Sequence, residues 1–131
     1  MQTKQAHVSV GMFSPHWSPD GHSIVSENFT DADLNIFDFK TQRWSTIYRG
    51  PLAFPIWSSD SRFIYFYRWA GGAAILRIPA SGGTAETVVD LKDFHQTGAL
   101  GIYFGLDPSD TPIILRDAGT SDIYALTLQR E

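Results

Sequence analysis

The chain has 131 residues, enough for one domain or a piece of one, and it has no cysteine, which excludes disulfides, thiolate metal sites and cysteine nucleophiles. A content of 43% hydrophobic and 14% aromatic residues can bury a core and excludes a disordered chain, while the net charge of −4 argues against a nucleic-acid-binding surface. No apolar run follows Lys4, so no signal peptide is expected and a cytoplasmic setting is favoured over a periplasmic one; the most apolar stretch, 98–106, is too short to span a bilayer, and no membrane contact is expected.

In chain order, Ala6–Val10 reads as an isolated outer strand. Phe13–Trp17 is a strand that runs into the turn Ser18-Pro19-Asp20-Gly21. Pro19 presets φ for the second turn position, Asp20 suits the third, and Gly21 takes the left-handed conformation that re-enters a strand. The strands Ser23–Ser26, Leu34–Phe39 and Trp44–Tyr48 follow, joined by the polar connections Asp31-Ala32-Asp33 and Lys40-Thr41-Gln42. The same order then repeats. Trp57-Ser58-Ser59-Asp60-Ser61 lies 40 residues after Trp17-Ser18-Pro19-Asp20-Gly21, and Pro55 falls on Pro15. Strands are expected at Phe54–Trp57, Phe63–Tyr67, Ala74–Ile78 and Ala85–Asp90. A third, degraded copy, Leu106-Asp107-Pro108-Ser109-Asp110, comes 49 residues later, with strands at Leu100–Leu106, Pro112–Leu115 and Ile123–Leu128. Ser61 and Asp110 hold the place of Gly21, so both are expected at positive φ, and on that ground alone Ser61→Gly would stabilise the protein.

Four short strands in a unit of about 40–45 residues is the pattern of β-propeller blades. The fold class is therefore all-β, with three four-stranded antiparallel blade equivalents: about 11–49, 51–91 and 99–128. With strands lettered A (inner) to D (outer), the chain reads D, A-B-C-D, A-B-C-D, A-B-C. The W-S-P-D-G turn, the β-rich run after it and Asp122-Ile123-Tyr124-Ala125-Leu126 resemble the TolB-type, WD-like β-propeller repeat of bacterial proteins, over residues 11–128. The last repeat, from Phe104 to Leu126, is similar to the C-terminal blade of soil-bacterial propellers that carry a winged-helix or protein-kinase domain at their N-terminus; this resemblance implies context and not activity. TolB-like blades also form the substrate-gating propeller of prolyl-oligopeptidase-type serine peptidases, which is the rival reading. The hydrolase domain such peptidases need is not in this sequence, and no G-x-S-x-G elbow occurs.

Of the residues that could carry chemistry, His16 and His22 flank the first A–B turn and could approach across a hairpin, but two histidines do not complete a zinc site, and the second repeat has Ile56 and Arg62 in their places. Asp31-Ala32-Asp33-Leu34-Asn35 resembles the start of a calcium loop but lacks its glycine at Ile36 and its glutamate at Gln42, so it reads as a polar loop entering a strand. No catalytic residue, metal or cofactor is assigned. Trp17, Trp57 and Leu106 are expected to pack between blades. The connections D–A and B–C share one face, where a binding surface would be built from Phe29, Asp31, Arg68, Trp69, Asp93, Phe94, His95, Gln96, Arg116 and Asp117. The longer second D–A connection, Leu91–Ala99, is expected to be a surface loop. The expected function is a non-enzymatic binding or scaffold module, its partner a protein or small ligand. Three blades do not easily close a ring, whereas two copies give six, with Ala6–Val10 of one completing the last blade of the other.

Overall fold

The structure, a computed structural model, describes residues 11–28, 30–94, 102–116 and 119. All regular elements among them are strands. β1 (Met12–Trp17), β2 (Ser23–Asn28), β3 (Asp33–Asp38) and β4 (Arg43–Arg49) form one antiparallel sheet in chain order. β5 (Leu52–Trp57), β6 (Phe63–Arg68), β7 (Ala74–Pro79) and β8 (Glu86–Asp90) form a second, and β9 (Phe104–Leu106) pairs with β10 (Pro112–Ile114) in a third. The expected outer strand 6–10 and the expected strand 123–128 lie outside the described residues.

The repeat is real at the level of single hydrogen bonds. In the first turn the Gly21 N–H donates to the Ser18 carbonyl at 2.9 Å, in the second Ser61 to Ser58 at 3.0 Å, and in the third Asp110 to Asp107 at 2.9 Å. Gly21, Ser61 and Asp110 have φ of 73°, 60° and 61°, as their places in the repeat predict. Each turn is also tied from within. The Ser18 hydroxyl donates to Asp20 Oδ1 (2.6 Å) and accepts from the Ser23 N–H (2.9 Å), and Ser58 repeats both bonds with Asp60 and Phe63. These hydroxyls, with the N–H groups of His22 and Arg62, hold the Asp20 and Asp60 carboxyls below the usual carboxylate range. In the shorter third turn, Asp107 replaces the serine and accepts from the N–H groups of Ser109 and Thr111.

The prolines aligned in the repeat mark a second shared device. β1 and β5 are each broken by a bulge, between Phe13 and His16 and between Ala53 and Ile56. Ser14 and Phe54 sit in these bulges at φ 53° and 58°. Pro15 and Pro55 follow, where the ladder is interrupted and a missing N–H costs little.

The sheets stack face to face. β6 is buried on both faces, so its sequence Phe-Ile-Tyr-Phe-Tyr-Arg shows no polar alternation. Ile64 and Phe66, with Leu76 and Ile78 from β7, pack on Val25, Leu34 and Ile36 of the first sheet. Tyr65, Tyr67 and Ile75, on the opposite face, pack with Leu91, Ile102 and the partly buried Phe104, Leu106 and Ile114. The Tyr48 and Phe66 rings meet across the first joint at 4.6 Å.

Specific bonds register one sheet on the next. Trp57 is 8% exposed, and its indole N–H donates to the His16 carbonyl at 2.9 Å. The Asp20 N–H donates to the Ser61 hydroxyl (3.0 Å), and the Ser59 N–H and hydroxyl donate to the Asp110 carboxylate (2.8 and 3.0 Å). Ser61 is thus strained as expected but also bonded across the joint, so the stabilisation expected from Ser61→Gly is corrected to a near balance of strain relieved and bond lost. Trp17 departs from the expectation that it packs between blades. It is 48% exposed and stacks on Phe39 of its own sheet, with centroids 4.8 Å apart and planes 2° from parallel.

Candidate binding cleft

Of the surface loop expected over Leu91–Ala99, residues 95–99 lie outside the described residues, Lys92 and Asp93 are exposed as expected, and Leu91 departs from it by being buried. Asp90 Oδ1 accepts from the Lys92 N–H, Leu91 N–H donates to the Ala73 carbonyl, and Phe94 N–H donates to the Leu91 carbonyl. This tight turn drives Leu91 into the core and lays Phe94 against the same cluster. Two apolar side chains three residues apart explain the burial: the segment packs as it turns. Residues 95–101 lie outside the described residues.

An open cleft of about 450 Å³ forms between this turn and Arg116, two residues past β10. Asp90, Lys92, Asp93, Phe94 and Arg116 line it. Its one aromatic, Phe94, packs against the core cluster, and its other four side chains are two cations and two carboxylates. Such a site can grip a partner that offers both charge signs and a flat apolar group, and its exposed side chains tie its ionic part to the salt concentration.

Of the ten residues expected on this face, Phe29, His95, Gln96 and Asp117 lie outside the described residues. Asp93, Phe94 and Arg116 come together in the cleft. Asp31 instead belongs to the β2–β3 connection, where its carboxylate accepts from Asn28 Nδ2 at 3.3 Å. Arg68 ends β6 and donates through Nε to the Gly72 carbonyl (2.9 Å), bracing the connection in which Gly71 and Gly72 adopt φ of 74° and 101°. Trp69 leaves that connection 57% exposed. Asp90 and Lys92 were not expected at the site; an aspartate two residues before a lysine N–H, at a strand end, is the local signal for the turn that presents them.

A second cleft, of about 400 Å³, is lined by Arg62, Phe63, Pro79, Ala80 and Ser81 at the opposite end of the second sheet. Beside it Arg77 lies over the Phe63 ring, 4.8 Å from the centroid, and pairs with Glu86; the Tyr65 hydroxyl and the Glu86 carboxylate raise its pKa.

Glu27 is a further functional-looking group that sequence reasoning passed over. It is 3% exposed at the joint between the first two sheets, beside Leu34 in the β2–β3 register. Burial pushes its carboxyl up to about 7, against the partial opposing effect of the Phe54 N–H that donates to it. Its Oε2 is buried and has no hydrogen-bond partner. A glutamate two positions after Val25, in strand alternation, was the available signal. Around the histidines the geometry is simpler: the Ser14 hydroxyl lies 3.2 Å from His16 Nε2, and His22 is exposed. Asp33 pairs with Arg49 at 3.0 Å and Asn35 accepts from the Thr46 hydroxyl at 2.7 Å, so these two residues of the calcium-like stretch serve the sheet. Among the described residues, no three His, Cys, Asp or Glu side chains gather.

No family model and no curated protein matches this chain. Among solved structures it is similar to a protein of Agrobacterium tumefaciens provisionally named TolB, with a TM-score of 0.58 and 24% identity over 84% of this chain. The match spans 41% of that protein's chain, so this chain is comparable to less than half of it. The likeness, with the stacked antiparallel sheets and repeated turns, shows the fold: TolB-like β-propeller blades.

Proposed function

We infer that this chain is a non-enzymatic binding module, and that it holds a protein partner at the end of the blades carrying the B–C and D–A connections. The observation that supports this most is the cleft of Asp90, Lys92, Asp93, Phe94 and Arg116. An aromatic packed against the core loses little side-chain entropy on binding, and charged neighbours of both signs suit an extended peptide segment with charged side chains flanking an apolar one. The exposed Trp69, from the neighbouring connection, supplies an aromatic of the kind interfaces use. The same composition makes a small, wholly apolar ligand a poor fit.

The test is selection of displayed random peptides on the wild-type chain, followed by binding to Arg116→Glu and Lys92→Glu variants. Both side chains are exposed, so both variants should fold. Selected peptides that carry acidic residues and lose at least tenfold in affinity for both variants support the cleft. Peptides that bind the variants as well as wild type, or a failure to enrich any, count against it.

A further inference from the structure

The joint between the first two sheets buries a carboxyl that its packing does not require. Strand alternation and the β2–β3 register put Glu27 on the face of Val25 and Leu34, which meets the second sheet. The same place in the next joint is held by Tyr67: Glu27 stands opposite Phe13, and Tyr67 stands opposite Ala53. Tyr67 is buried there among apolar side chains. Glu27 is equally buried, but its Oε2 has no hydrogen-bond partner, and the donor it does have is the Phe54 N–H. A buried carboxyl in that setting is tolerated when neutral and costly as an anion.

Phe54 belongs to two joints at once. Its N–H serves Glu27 in the first, while its ring packs with the cluster of the second and lies 5.4 Å from the Tyr103 ring. It sits at φ 58° in the β5 bulge, where the ladder to β6 is interrupted between Ala53 and Ile56. Few backbone bonds therefore oppose a displacement at this end of the joint. The other end is fastened by the Trp57 indole on the His16 carbonyl and by the Asp20 N–H on the Ser61 hydroxyl. The other titratable and charged side chains on the surrounding strands are engaged elsewhere. The His16 ring lies beside the Ser14 hydroxyl, Tyr48 packs on Phe66, and Arg68 donates to the Gly72 carbonyl. Asp38 and Arg43 stand opposite each other at the far end of β3 and β4. The ion pairs Asp33–Arg49 and Arg77–Glu86 lie on the sheet faces turned away from this joint. None of these groups contributes to the raised pKa of Glu27, which burial sets and the Phe54 N–H opposes.

We propose that the protonated carboxyl of Glu27 latches the first joint, and that loss of this proton opens the joint locally at the Phe54 bulge while both sheets stay folded. The anion has one donor where it needs several, and its unpartnered oxygen gains them only from water. Displacing the bulge admits that water and breaks the fewest bonds, and the fastened end of the joint acts as the hinge. The sign follows from linkage. In the closed joint the carboxyl keeps its proton to about 7, and in the open, hydrated joint it releases it near the ordinary value of 4.5. The open form thus binds fewer protons between these values, so opening is favoured as pH rises from 4.5 and levels off above 7.

The test is amide hydrogen exchange of the Phe54 N–H followed by NMR between pH 5 and pH 8, corrected for the intrinsic pH dependence of exchange and repeated in low urea, on the wild type and on Glu27→Gln. In the wild type the opening constant at Phe54 should rise roughly fivefold to thirtyfold and flatten above pH 7, whereas in Glu27→Gln it should stay constant to within about twofold. The Phe54 opening should also be insensitive to low urea, while the β7 amides lose protection with it because they exchange through global unfolding. The wild-type series decides the matter even where the variant folds poorly. An opening constant at Phe54 that does not change with pH overturns the proposal. So does an equal rise in Glu27→Gln, or a Phe54 N–H with the same protection and the same urea dependence as the β7 amides, which would leave only global unfolding.

Discussion

Glu27→Gln isolates a carboxyl that burial in the fold holds in its protonated form to unusually high pH. The unfolded chain releases the Glu27 proton near the ordinary value of 4.5, and the folded chain near 7. Between these values the folded state binds more protons than the unfolded state, so stability falls as pH rises. The contribution is fully present below 4.5 and lost through 7. The interval corresponds to at most ~3 kcal/mol. The Phe54 N–H partly solvates the anion, and relaxation around a buried charge lowers its penalty below the idealised figure, so about 1–2 kcal/mol is expected. Glutamine keeps an acceptor for the Phe54 N–H and removes the titration. In urea denaturation between pH 5 and pH 8, the wild type should lose about 1–2 kcal/mol more than Glu27→Gln. Equal losses in the two proteins would refute the reasoning, since they would place the pH dependence in other groups.

Other perturbations test the joints, each read from a urea denaturation midpoint. Ser61→Gly should change stability by less than about 0.5 kcal/mol, because relief at φ 60° offsets the lost bond from Asp20, whereas Ser61→Ala keeps the strain, loses the bond and should cost about 1 kcal/mol. Trp57→Phe should cost about 1–2 kcal/mol through the lost bond to the His16 carbonyl and lost volume, and Trp17→Phe well under half of that. Leu91→Ala should cost about 2–4 kcal/mol, the figure for a core leucine; a cost below about 1 kcal/mol would return that residue to the surface loop.

The fold was legible because its punctuation is local. A turn that needs Pro, Asp and a left-handed residue within four positions writes itself into the sequence, and repeating it at 40 residues fixes the blade period and the strand order. The A–D reading put strands in the places of all ten that the structure describes, with ends displaced by at most a few residues. The candidate site was legible only in part, because it depends on what distant residues do. Asp93, Phe94 and Arg116 were found by loop chemistry alone, but which loops converge depends on the stacking of the second and third sheets, which no local pattern reports. Asp90 and Lys92 were absorbed into a strand end and a loop. Leu91 and Phe94 looked like apolar residues in a long polar connection, and only the neighbouring sheet shows that they close the core.

The departures from perfect repetition carry the most information. In sequence, Ser61 and Asp110 look like decay of the glycine seen at 21, since each puts a side chain where the backbone favours none. In the structure each of those side chains accepts a hydrogen bond from the turn before it, Ser61 from Asp20 and Asp110 from Ser59. A left-handed serine or aspartate costs on the order of 1 kcal/mol, and a bond of this kind returns about as much. Net stability is therefore a weak reason for either residue. Registration is a better one: a glycine turn leaves two apolar sheet faces free to slide or rotate on each other, because hydrophobic contact has no direction. A side chain that must reach one N–H in the preceding turn fixes the angle and height of the next blade. Glu27 makes a comparable bond at the first joint, to the bulge N–H of Phe54, through a buried carboxyl whose second oxygen is unsatisfied. The polar contacts between sheets thus set the order and orientation of the blades, while the apolar contacts supply the energy that holds them.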